Sequence, residues 1–121
     1  MKTVFLWVLA LFSLTTGTLY AQDPVEAAKI RYLIASVETL EGAQFLRNGQ
    51  AYDAKAAADH LRLKLKAAGD RVKTADDFIR LCGSRSSLSG EKYRIRFVDR
   101  TTVDAEVYFR NMLTAFPADT P

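Results

Sequence analysis

One histidine, His60, four serines within Ser84 to Ser89 and an Arg47-Asn48-Gly49 corner are the residues whose types can do chemistry in this chain. A serine nucleophile needs a base within hydrogen-bond reach and a third group to orient that base. The types are present: His60 can act as base, Asp53 and Asp59 are near it in sequence, and Ser84, Ser86, Ser87 and Ser89 offer hydroxyls. The spacing argues against hydrolysis. No G-x-S-x-G elbow occurs, and Ser89-Gly90-Glu91-Lys92 matches S-x-x-K only in letters, because it leads into a strand pattern and does not open a helix. The lone histidine, the lone cysteine and the scattered carboxylates show no zinc or calcium spacing, so neither a metal nor another cofactor is expected. The adjacent Asp76 and Asp77 are explained as helix-start charges favoured by the helix dipole.

Binding is the chemistry that remains. Arg47 sits beside a tight Asn-Gly turn, so its guanidinium has a fixed direction and can either clamp a carboxylate or phosphate or pair with a nearby acid. The stretch SRSSLSG, Ser84 to Gly90, admits two readings. Short hydroxyl side chains bond their own backbone and stabilise turns. The same hydroxyls and N–H groups, with Arg85, Arg94 and Arg96 nearby, can form an anion-binding concavity. His60 falls at the border of an apolar helix stripe, where its ring packs and one nitrogen finds a partner. Lys64, one turn later, is expected to lay its stem on the core with its charge in water. Arg62, Lys66 and Arg71 read as a solvated face.

The elements that must position these residues follow from periodicity and punctuation. Asp23-Pro24-Val25-Glu26 combines a capping aspartate, a first-turn proline and a glutamate three residues past the cap. Ile30, Leu33, Ile34 and Val37 then line one helix face, with Gly42 as the stop. Asn48-Gly49 between short runs predicts a hairpin. Asp53 caps a second helix whose stripe is Ala54, Ala57, Ala58, Leu61, Leu65 and Ala68, with Gly69 past its end. Thr74 and Asp77 form a capping box for a short third helix carrying Ala75, Phe78, Ile79 and Cys82. Tyr93, Ile95 and Phe97 alternate with the cations Lys92, Arg94 and Arg96, which predicts a strand with one wet face. Asp99 to Thr102 turn the chain, and a last helix gathers Ala105, Tyr108, Phe109, Met112, Leu113 and Phe116 before Pro117. The fold class is α+β: four amphipathic helices and a small antiparallel sheet made by the hairpin and one later strand.

The first 21 residues read as an export signal: Lys2, an apolar run from Val4 to Leu14, and Ala21 as the preferred cut, with Gly17 as the alternative. That run is shorter than the roughly twenty residues a membrane span needs, so export and release are expected over an uncleaved anchor. Residues 22–121 then form one domain, expected in the periplasm with no stable membrane span after cleavage. Whole-chain charge is +3, too mild for a nucleic-acid partner. Cys82 is alone, so no disulfide can staple the domain, and its helix position favours a buried small residue over a reactive thiol.

The motifs FLRNGQAY, AAADHLRLKL, TADDFIRLCGSRSSLSG and KYRIRF, in this order, resemble the YfeK-like family of small exported bacterial proteins, a domain of unknown function. Phe45, Arg47, Asn48, Gly49, Tyr52, His60, Leu61, Arg62, Lys64, Thr74, Phe78, Ser86, Ser87, Ser89, Gly90 and Tyr93 carry the likeness. Cys82-Gly83 stands where that family has small residues and Lys92 where it commonly has proline, which argues against Cys82 as a family-wide reactive group. The resemblance implies that Arg47, Asn48, His60, Ser86 and Ser87 belong together, as a scaffold network or as a pocket lining. With Arg94 they form the candidate ligand site. The expectation is a non-catalytic envelope module for an anionic ligand or protein partner. The alternatives are a hydrolase using His60 with a loop serine, and a structural or inhibitory module acting through an exposed apolar patch.

Overall fold

A computed structural model describes residues 23–117. The export signal expected over residues 1–21 lies outside the described residues. Helix α1 (Pro24–Glu38) starts where Asp23 accepts the Val25 N–H at 2.8 Å and buries Ile30, Leu33, Ile34 and Val37, the four residues its spacing singles out. Glu26 does not close the expected box. Its carboxylate accepts the Ala75 N–H at 2.8 Å, so α1 caps the start of a helix 49 residues away, and that bond is the main cause holding the carboxyl below its ordinary range.

Strands β1 (Gln44–Arg47) and β2 (Gln50–Tyr52) form the hairpin, with Asn48 and Gly49 both at positive φ as a tight two-residue turn requires. Helix α2 (Ala54–Ala68) begins at Asp53, which accepts the Ala56 N–H, and ends at Gly69. Its buried residues are Ala58, Leu61 and Ala68, and Arg62 on the outer side bonds Glu38 of α1 at 2.6 Å. Arg62 is therefore an inter-helix tie where solvent alone was expected.

Helix α3 (Ala75–Phe78) has both halves of its Thr74–Asp77 capping box, then widens into a π-turn over Ile79–Gly83. The widening has two visible supports. The Ser84 hydroxyl donates to the Ile79 carbonyl at 2.6 Å, and Gly83 has no Cβ to meet the Phe109 ring, whose nearest carbon would lie 2.9 Å away. Cys82 is fully buried beside them, and burial pushes its thiol pKa up, as expected of a core residue.

Strand β3 (Arg94–Arg96) pairs with β1, and a fourth strand, β4 (Thr102–Asp104), pairs with β3. The antiparallel sheet therefore runs β2-β1-β3-β4, one strand wider than the hairpin-plus-one expected. Helix α4 (Ala105–Thr114) follows directly, burying Ala105 and Phe109, and stops short of Phe116, whose ring instead meets Tyr32 edge-on. Phe78, Phe109, Leu33, Ile79, Ile95 and Val37 are the heart of one core packed between the helices and one sheet face. The class is α+β, and no helix among the described residues is long and apolar enough to cross a membrane.

Candidate functional site

The hairpin tip is locked to the serine-rich bend. Asn48 Nδ2 donates to Ser86 Oγ at 3.2 Å, while Ser89 Oγ donates to Asn48 Oδ1 at 2.6 Å. Ser86 Oγ also accepts the Leu88 and Ser89 N–H groups, Ser89 Oγ accepts that of Glu91, and the Ser86 carbonyl accepts that of Gly90. Ser86 and Ser89 thus direct most of these bonds into the bend itself and onto Asn48. The turn expected of this stretch accounts for these bonds, because each short side chain reaches backbone two or three residues on. Ser87 lies exposed on this bend, away from the bonds that Ser86 makes.

His60 is joined to the bend through Tyr93. Its Nε2 lies 3.2 Å from the Tyr93 hydroxyl, and the two rings meet edge-on. Lys64 Nζ donates to the same hydroxyl at 3.0 Å and to the Arg85 carbonyl at 2.9 Å. An ammonium can only donate, so Lys64 donates to the Tyr93 oxygen, and the same hydroxyl shares a second hydrogen bond with the His60 ring. Burial, then the charges of Arg47 and Lys64, lower the His60 pKa below 6.5 and keep it neutral near pH 7. The snorkelling expected of Lys64 is corrected: its head is fastened to protein. A serine base role for His60 is not supported, since its hydrogen-bond partner among the described residues is a tyrosine.

Arg47 makes no ion pair with a nearby acid. Its guanidinium lies 4.9 Å from the Tyr52 ring centre and donates through Nη2 to the Tyr52 hydroxyl at 3.0 Å, with no carboxylate in ion-pair reach among the described residues. It uses one of the five N–H donors that a guanidinium carries. Arg47 and His60 both line a groove of about 340 Å³ between α2 and the sheet. The inner wall is apolar and buried, with Leu61, Ile95 and Phe109; Leu63 stands at the rim.

Arg94 is placed differently. It is opposite Leu46 and Asp104 in the sheet, one residue out of phase with Phe45 and Arg47, so its side chain belongs to the other face. There Asp104, contributed by the unexpected β4, lies 3.7 Å from Arg94 and 3.5 Å from Lys92. The structure therefore brings together Arg47 with His60 and Asn48 with Ser86, and Arg94, paired with Asp104, borders the same groove as Arg47. Tyr93 and Lys64 are the connecting residues that the sequence reading did not place at the site. The signal for Tyr93 is its position at the entry of the strand, directly after the Ser-Gly bend.

No solved structure matches this chain. The uncharacterized protein YfeK of Salmonella typhimurium is 37% identical over 68 residues, a stretch that spans 56% of this chain and 57% of that protein. The model of the family of unknown function DUF5329 matches residues 24–117, which takes in the hairpin, the serine bend, the groove and the whole core. The chain belongs to that family.

Proposed function

We propose that this chain is an exported, periplasmic envelope protein that binds an anionic ligand at the Arg47 corner of its groove and catalyses no reaction on it. Export rests on the leader pattern of Lys2 and the Val4 to Leu14 apolar run. The observation that carries the binding reading is Arg47 itself: a half-buried guanidinium, aimed by a hairpin, held by a phenol, and with no carboxylate in ion-pair reach among the described residues. A buried-side cation with unspent donors is a poor structural investment and a good anion receptor. The non-catalytic part is supported by the hydroxyls and the imidazole being bonded to other partners, Ser86 to Asn48 and His60 to Tyr93.

The test has two stages. Cells expressing the full chain are fractionated, with the protein expected in the osmotic-shock fluid and shortened at its N-terminus. The released protein is then titrated by NMR with benzoate, inorganic phosphate and tetramethylammonium. Saturable binding of an anion and not of the cation, lost in Arg47→Gln at unchanged melting temperature, is the expected result. Retention in the cytoplasm, or equal response of wild type and Arg47→Gln, overturns the corresponding half of the reading.

A further inference from the structure

The groove holds more than a charged head, and its walls restrict what the rest of a ligand can be. This inference rests on Arg47 receiving an anion and deepens that reading. Phe45 of β1, Tyr52 of β2, Leu61 and Leu63 of α2, Ile95 of β3 and Phe109 of α4 contribute to the lining, so apolar surface comes from the sheet and from both helices. Leu63 is 67% exposed, an apolar side chain left uncovered where the helix borders the opening. A sugar or a phosphate ester laid along these walls would bury polar atoms with no partner. A hydrocarbon would not.

The polar groups set the head. Arg47 offers a planar fork suited to the two oxygens of one carboxylate, and the neutral His60 ring adds no second charge beside it. A dianionic phosphate calls for more donors, yet no residue of the serine bend is among those that line the groove. Asp59 also lines the groove, but its charge is offset by Lys55 at 3.1 Å and Arg62 at 3.1 Å. The volume of about 340 Å³ falls in the range of roughly 300–1,000 Å³ typical of small-molecule sites.

We infer that the groove takes a medium-chain aliphatic monocarboxylate, its carboxylate on Arg47 and its hydrocarbon between α2 and the sheet. Acetate, hexanoate, decanoate, inorganic phosphate and decyltrimethylammonium, each titrated into the protein released from the cells, test it. Affinity is expected to rise from acetate to decanoate by roughly fourfold per buried methylene. Decyltrimethylammonium is expected to fail, and Arg47→Gln to weaken decanoate roughly tenfold or more. Ala56→Trp, which adds bulk at a lining position and removes no group, is expected to abolish the chain-length dependence with Arg47 intact. Acetate or phosphate binding as tightly as decanoate, in an Arg47-dependent way, overturns the chain inference and leaves the anion reading standing. Equal binding of decanoate and decyltrimethylammonium, untouched by Arg47→Gln, overturns both, as does no binding by any probe.

Discussion

Arg47 and Asn48 are neighbours in one turn with opposite fates. Asn48 spends both ends of its amide on Ser86 and Ser89, 38 and 41 residues away, and the bend it meets spends its own donors in the same place. Arg47 leans on Tyr52 alone and faces the groove with most of its donors unspent. The difference shows that a cluster of polar residues in a sequence divides, once folded, into groups that satisfy each other and groups that do not. Only the second kind has anything to offer a ligand.

The core beneath the groove is where the largest effect is expected. Gly83→Ala puts a methyl group 2.9 Å from a Phe109 ring carbon in the core, and is expected to cost about 3 kcal/mol in urea denaturation. Asn48→Ala removes two long-range hydrogen bonds at a residue with φ of 49°, and is expected to cost about 2 kcal/mol while leaving anion affinity within twofold. Arg47→Gln should do the reverse, changing stability by no more than ~0.5 kcal/mol while removing binding. Should Arg47→Gln instead lower the melting temperature as far as Asn48→Ala, the two corners are the same kind of scaffold.

The smallest effect is a pH slope. The folded His60 has a pKa below its unfolded value of 6.5, so just below that pH the unfolded chain holds more protons. The contribution is fully present above pH 6.5 and is lost as pH falls through the folded value. Arg47, Lys64 and Tyr93 are the charged and titratable groups around the ring, with Asp59 next to it in the chain. Glu26, Asp76 and Asp77 are held below ordinary carboxylate values by N–H and arginine partners, so their losses come at lower pH and do not obscure this window. Denaturation midpoints from pH 7 to 5 should therefore decline in the wild type and flatten in His60→Gln.

Much of the fold was legible because it is local. The face of α1 came from spacing alone, the hairpin from Asn48-Gly49, and the Thr74–Asp77 box from two residues three apart. β4 was not legible, since three residues with one apolar side chain, Val103, are too short to show alternation. Nor was the phase of Arg94 against Arg47, which is set by strand pairing between segments far apart in the chain. The contact between Asn48 and the serines came from likeness to a family, while the groove itself is a property of how α2 lies over the sheet and has no signature in any one segment.

The Lys64 ammonium, tied to the Arg85 carbonyl and the Tyr93 hydroxyl, is a strut between helix and bend. Through Tyr93, which lines the groove, it also ties one wall of the slot to α2. On the proposed reading, an occupant would meet a wall already ordered during folding, and less of its contact energy would be consumed in arranging it.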